Sequence, residues 1–238
     1  MSFTDLSLVN PHYLTLCSVG IAAPPITEVV DGKHVGFEPD VAYAIGRFLD
    51  LPIRFVDVFR WDDLGATLFD NGCDAILCCQ AITPEREKTH LFSNPYSKFD
   101  EGLVVRVDSE ISSAADLVGR KVGAITGTTN MTLAESFEGA EVVEFGGGDN
   151  AFAEMADAVR HGEIDAMVDD ELVLPALTEQ GDLKIGFVAP TQNSYGLALR
   201  PDSAALKDKL DEAVDSLVAS GELKTIWSSY FGDKPFPL

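Results

Sequence analysis

The sequence predicts an α/β protein of two lobes, with the second lobe inserted into the first. Three observations lead there. Short apolar runs alternate with segments whose apolar residues recur at helical spacing, the pattern of strands and helices packed in layers. Two similar apolar runs, "EGLVVRV" at 101–107 and "NSYGLALR" at 193–200, flank a stretch with strands and helices enough for a lobe of its own. The 238 residues, 46% of them hydrophobic, suffice for two cores of ordinary size. The expected division is residues 1–106 and 194–238 in the first lobe and 107–193 in the second, mixed sheets flanked by helices with two strands crossing between them.

The elements follow in order. "YLTLCSVGI" reads as a first strand. "FEPDVAYAIGRFLDL" reads as a helix, with Val41, Ala44, Ile45, Phe48 and Leu49 on one face and Pro39 in its first turn. "IRFVDVF" is a second strand, "WDDLGATLFDNG" a helix closed by glycine, and "DAILCCQ" a third strand. Beyond the first crossing come helix "SAADLVG", strand "KVGAIT", helix "TNMTLAESF" and strand "EVVEF". Helix "NAFAEMADAVRHG", strand "IDAMVDD", helix "ELVLPALTEQ" and strand "LKIGFVA" complete the inserted segment. After the return strand, a long amphipathic helix covers Ser203 to Ser220 and a last helix reads "ELKTIWSSYFG".

Composition excludes several partners. A formal net charge of -22 leaves no clustered Lys and Arg to neutralise phosphates, so nucleic acid and acidic membranes are not expected partners. So much acid on the surface suits a soluble monomer. Nothing approaches eighteen consecutive apolar residues, and "MSFTDLSLVNPHYLTL" lacks the basic start and apolar stretch of an export signal. The expectation is no membrane span, with any export signal trimmed away. Cys17, Cys73, Cys78 and Cys79 form no CxxC pair and are expected as free buried thiols, Cys78 and Cys79 pointing to opposite sides of a strand.

No cofactor or metal is expected. "GGGDNA" at 146–151 satisfies a dinucleotide pattern, with Asp165 and Asp169 downstream. The same glycines and Asp or Asn serve any strand-to-helix turn, and they lie far into the chain. His12, His34, His90 and His161 stand in polar contexts expected to be exposed, and neither HExxH nor G-x-S-x-G occurs.

Arg86 stands out. It follows the buried strand "DAILCCQ" and the turn-like Thr83-Pro84, at the carboxyl end of a strand, where α/β folds place ligands. A guanidinium there can take a carboxylate by two parallel hydrogen bonds. Taken alone, it reads first as a surface partner of Glu85 or Glu87.

Further segments bear on the choice. "GFEPDVAYAIGRFL", "DAILCCQAITPEREKTHLFSNPY", "VGRKVGAITGTTN", "GEIDAMVDD" and "LKTIWSSYFG" together resemble family 3 solute-binding proteins of amino-acid ABC transporters, over nearly the whole chain from about Leu14 to Gly232. The resemblance implies the two-lobed type II periplasmic-binding-protein fold and an amino acid or related zwitterion enclosed between lobes. It implies a carboxylate clamp in the Arg of "T-x-x-R", here Arg86, assisted by the "G-T-T" turn, here Thr128 and Thr129. It implies an ammonium site in the Asp after the "D-A" strand, here Asp170. The implied partner is a membrane permease, and the implied location is periplasmic or on the cell surface.

The sequence also departs from the family. Ala23 stands where members place an aromatic, Ala81 where a hydroxyl assists the carboxylate, and Cys79 where a small polar residue is common. Trp61 is the nearest replacement platform, with core packing as its other reading. Gly20 replaces an acid that some members use for a cationic side chain, so the expected ligand is neutral or modestly polar. Two other readings share the fold: a ligand-sensing domain, and an enzyme resembling cyclohexadienyl dehydratases, with Asp169, Glu171 or Glu28 as proton donor.

Overall fold

Residues 6–20, 22–146, 148 and 150–238 are described by a computed structural model. Two units divide the chain: Met1–Lys98 with Asn193–Leu238, and Phe99–Gln192. The chain leaves the first unit within β7 (Ser97–Arg106) and returns within β11 (Leu183–Tyr195).

The first unit is organised around β1 (Leu14–Val19), buried at every residue. β4 (Ile53–Val58) pairs parallel to it in the register Leu14↔Ile53 through Val19↔Val58, and β5 (Ala75–Ile76) pairs parallel on its other edge. β12 (Ala198–Leu199) and β6 (Leu91–Phe92) complete a sheet of order β4-β1-β5-β12-β6. Its helices include α1 (Phe37–Leu49), α2 (Asp63–Phe69), α6 (Ala204–Ser220) and α7 (Glu222–Phe231). The buried stripe of α1 is centred on Glu38, Ala42, Ile45 and Leu49. Phe48, expected on the buried face, lies at the edge of that stripe and is 44% exposed, whereas the small Ala44 is covered.

Other expectations fail in this unit as well. The strand expected over "DAILCCQ" ends at Ile76, because Cys79 turns the chain with a φ of 45°. Cys78 and Cys79 therefore do not alternate across a strand, and Cys79 is half-buried while the other three cysteines are buried. The sequence reading also passed over a hairpin, β2 (Glu28–Val30) with β3 (Lys33–Val35), although Asp31-Gly32 at its tip, both at positive φ, is a standard turn signal. Finally, His34 and His90 are half-buried rather than exposed. His34 stacks on Phe55 at 4.2 Å with Nε2 3.4 Å from Asp57, and burial lowers its pKa.

The second unit is a sheet of order β11-β7-β10-β8-β9, with β8 at Lys121–Ile125, β9 at Glu141–Phe145 and β10 at Ala166–Asp170. β8 runs parallel to β9 and β10, and β7 runs antiparallel to β10. Leu103, Val105, Val122, Ala124, Ala166 and Val168 pack with Met131 and Ala134 of α3 (Thr129–Ser136) into its core. α4 (Ala151–His161) closes on Gly162 in the left-handed conformation. "SAADLVG" forms a 3-10 turn at Ala114–Leu117 rather than a helix. "ELVLPALTEQ" yields α5 only at Leu174–Thr178, since Pro175 has no N–H and suits only a first turn. "LKIGFVA" and the start of "NSYGLALR" form one strand. The "GGGDNA" turn includes Gly147 and Asp149, which lie outside the described residues. Among the described residues, no helix is long and apolar enough to cross a membrane, and no cluster of metal-ligating side chains occurs.

Candidate functional site

In the first unit the chain after β5 is irregular, and hydrogen bonds fix it from several sides. Leu77 N–H donates to Cys17 O at 2.9 Å. Cys79 N–H donates to Glu38 Oε1 at 2.7 Å. Ala81 forms an isolated antiparallel bridge with Tyr195, flanked by Gly196 N–H to Gln80 O at 3.2 Å and Ile82 N–H to Ser194 O at 2.8 Å. Thr83 Oγ1 then accepts from Arg86 N–H at 3.2 Å, opening a 3-10 turn at Arg86–Lys88. The half-buried Arg86 donates from Nη1 to Ala81 O at 3.1 Å, so one edge of its guanidinium is oriented by a carbonyl that the return strand holds.

Other residues singled out by sequence belong to the same unit. Trp61, just beyond β4, is half-buried and packs against the core cluster that includes Val58, Leu64 and Leu68. Gly20 N–H donates to Val58 O at 2.8 Å. A Cβ at Gly20 would meet Phe59 Cε1 at 2.9 Å, so an acid there would have to displace the ring. Ala23 sits in a tight bridge to Thr27, and Glu28 opens the hairpin.

In the second unit, Thr128 is the N-cap of α3. Its Oγ1 accepts from Met131 N–H at 3.1 Å and donates to Ile125 O at 2.6 Å, which commits the hydroxyl to the helix. Thr129 follows as the first helical residue, half-buried, where backbone N–H groups lack intrahelical acceptors. Asp170 ends β10, opposite Glu101 of β7. Asp169 Oδ1 accepts from Asp170 N–H at 2.8 Å and from Asn130 Nδ2 at 3.4 Å. This side chain thus joins the start of α3 to Asp170. Burial and then repulsion from Glu101 raise Asp169 to about 7, opposed by the Asp170 N–H bond. Glu171 lies one residue on, its Oε1 accepting from Asp100 N–H at 3.2 Å.

Arg86, Ala81 and Cys79 therefore share one pinned stretch of the first unit, and Thr128, Thr129 and Asp170 lie at the carboxyl ends of the parallel strands β8 and β10 of the second. Sequence reasoning missed Glu38 and the linking role of Asp169. Glu38 had a signal, an acid one residue into an otherwise apolar helix face; the bond from Asp169 to Asn130, across 39 residues of sequence, had none.

The profile of bacterial extracellular solute-binding proteins, family 3, matches residues 17–233. The chain belongs to this family. It is 30% identical over 233 residues to the L-arginine-binding protein of Pseudomonas aeruginosa, covering 90% of this chain and 86% of that one. It is 28% identical over 222 residues to the ABC transporter arginine-binding protein 1 of Escherichia coli (strain K12), covering 89% of each. Among solved structures, an ancestral arginine-binding protein bound to glutamine superposes with a TM-score of 0.84 at 28% identity, covering 93% of this chain and 99% of that one. The expected family and its α/β fold of two sheets flanked by helices are thus borne out.

Proposed function

We propose that this solute-binding protein is the extracytoplasmic receptor of an ABC importer and takes a free amino acid or a related small zwitterion. The observation that carries the reading is the pairing of family membership across residues 17–233 with one candidate cation in the pinned stretch that follows β5 and one candidate acid at the last residue of β10. Arg86 takes the ligand carboxylate, aided by the backbone at Thr128 and Thr129. Asp170 takes the ammonium. Charged hydrogen bonds are worth about 1.5–3 kcal/mol each, so two at the carboxylate and one at the ammonium contribute about 4.5–9 kcal/mol, a range that includes the roughly 8.2 kcal/mol of micromolar affinity. Trp61 supplies an aromatic face in place of Ala23, and Cys79 and Ala81 make the wall around the carboxylate less polar than in relatives with hydroxyls there. The partner is a membrane permease, and the protein works as a monomer outside the cytoplasmic membrane.

On the side chain of the ligand, Gly20 under the Phe59 ring supports a neutral or modestly polar group. Arginine and glutamine are the direct comparison, since one similar arginine-binding protein was solved with glutamine. A thermal-shift screen of the twenty amino acids tests the proposal, because a ligand at 100 times its dissociation constant adds about 2.7 kcal/mol. No shift with any of them would overturn the receptor reading, and a largest shift with arginine would overturn the neutral side chain.

A second reading has one observation in its favour: Asp169, raised to about 7, has the proton affinity of a general acid. It would then protonate the ring hydroxyl of a prephenate-like acid, which leaves as water while the ring carboxylate leaves as carbon dioxide and its bonding electrons complete the aromatic ring. Incubation with prephenate, read by absorbance of an aromatic product, distinguishes the two.

A further inference from the structure

Glu38 is 2% exposed, yet it sits on the face of α1 turned into the first unit's core. Burying a carboxyl is expensive unless it is hydrogen-bonded. Its Oε1 accepts two hydrogen bonds, from Cys79 N–H at 2.7 Å and from the Tyr96 hydroxyl. Its Oε2 is buried without a hydrogen-bond partner. Burial raises the pKa, against the lowering effect of the bonds from the Tyr96 hydroxyl, the Cys79 N–H and the Cys79 side chain, which favours the neutral acid. An apolar residue would fill this place at lower cost. The two bonds are therefore the feature of Glu38 that calls for explanation.

Both bonds lead toward Arg86. Cys79 occupies the left-handed region at φ 45°, which a residue with a Cβ enters only at a cost. Its N–H is the group that Glu38 holds. Two residues on, Ala81 O accepts from Arg86 Nη1 at 3.1 Å. Tyr96, the second donor, gives its own N–H to Tyr195 O at 3.0 Å, and Tyr195 is the bridge partner of Ala81. Glu38 thus touches the two ends of one backbone circuit: Cys79, Ala81, Tyr195, Tyr96.

We infer that Glu38 is the positioning residue of Arg86, holding Cys79 in its left-handed turn and thereby fixing the Ala81 carbonyl that aims the guanidinium. The inference rests on the proposed role of Arg86 as carboxylate clamp. It distinguishes orientation from charge, because Glu38 has no reason to touch the ligand.

Calorimetry with L-arginine and L-glutamine as probes tests it. Glu38→Ala should weaken the tighter-binding probe at least tenfold while melting stays cooperative. Glu38→Gln keeps an oxygen acceptor for Cys79 and should bind within threefold of wild type. Glycine enters the left-handed region without steric cost, so Glu38→Ala with Cys79→Gly should regain at least threefold over Glu38→Ala alone. A merely structural role would give no rescue from a glycine. Should Glu38→Ala fail to fold, Glu38→Asp withdraws the oxygen by one methylene and should lose affinity in the same direction. In the ligand-free protein, exchange of the Cys79 amide should accelerate at least tenfold in the variant, which tests the tether without any ligand. Affinity within threefold of wild type for Glu38→Ala, no gain from the added glycine, or unchanged Cys79 exchange would each overturn the inference. If the wild type binds a probe and Glu38→Ala binds it equally, only the positioning role falls; if the wild type binds no amino acid, the receptor reading falls with it.

Discussion

The stretch that carries Arg86 and the strand end that carries Asp170 fix opposite charges by different means. Arg86 stands on irregular backbone, aimed by a carbonyl and steadied by a bridge, a left-handed residue and a buried acid. Asp170 ends a regular strand whose register with β7 places it, and Asp169 ties its N–H to the side chain of Asn130. The contrast follows from the chemistry of the proposed partners. A guanidinium meets a carboxylate through two parallel bonds and must be oriented. An ammonium rotates freely and needs only an acid at the right place.

The largest effect expected from that comparison is at Arg86. Arg86→Ala should weaken amino-acid binding about 100-fold or more, roughly 2.7 kcal/mol, with little change in melting temperature, as measured by calorimetry and circular dichroism. Arg86→Lys should recover only a small part, because the charge returns without the fork. Retention within threefold in Arg86→Ala would remove the clamp. At Asp170 the expected loss is smaller, about 10- to 30-fold for Asp170→Asn, in line with one charge-assisted bond of about 1.5–2 kcal/mol. If Asp170→Asn cost more than Arg86→Ala, orientation would not be what separates the two half-sites.

Much of this was legible in the sequence. Period and punctuation located β1, α1, β4, α4 and α6, since each is an apolar or amphipathic run with clear ends. What failed depended on contacts far along the chain. The strand after Asp74 was read too long because the turn at Cys79 is held by Glu38, 41 residues earlier. Pairing of Ala81 with Tyr195 left no local sign either, since it depends on a return strand more than a hundred residues later. α5 was the reverse case, a local signal under-used, because Pro175 alone forbids a helix interior there. Arg86 was legible from its place after an apolar run and Asp170 from the family resemblance, whereas Glu38 and the link from Asp169 to Asn130 came into view only with their hydrogen bonds.

A smaller effect is expected from pH. Asp169 is raised from 3.8 to about 7, so between those values the folded protein holds a proton that the unfolded chain has released. Its stabilising contribution is full below about pH 4 and is lost as pH rises through about 7. The carboxyl is half-buried, so water screens part of the cost, leaving a contribution on the order of 1–2 kcal/mol. Glu38 titrates in the same direction, so the comparison must be between variants. Melting temperatures of wild type and Asp169→Asn, followed from pH 4.5 to 8, should converge at the acid end, with the variant the more stable at the alkaline end. Parallel curves would mean that Asp169 is ionised throughout and that the second unit holds its acids without a proton.

The smallest effect concerns the aromatic face, and it separates the two tryptophans. Trp227 is 0% exposed, its Nε1 donates to Lys234 O at 3.0 Å, and it packs edge-on to Phe37 at 5.6 Å, so its surroundings are fixed. Trp61 is half-buried and packs against the core cluster of the first unit. A bound amino acid stacked on Trp61 would change the polarity around that ring alone. Wild-type fluorescence should therefore change on adding an amino acid that binds, and Trp61→Phe should abolish the change while binding weakens by no more than about threefold, since a phenyl ring keeps most of a contact worth about 0.5–1.5 kcal/mol. Affinity must be measured independently by calorimetry, so that a silent variant is known to be loaded. If the change persists in Trp61→Phe at saturation, it comes from Trp227 and Trp61 is core alone. The aromatic face would then have to be sought at Phe59, 55% exposed beside Gly20.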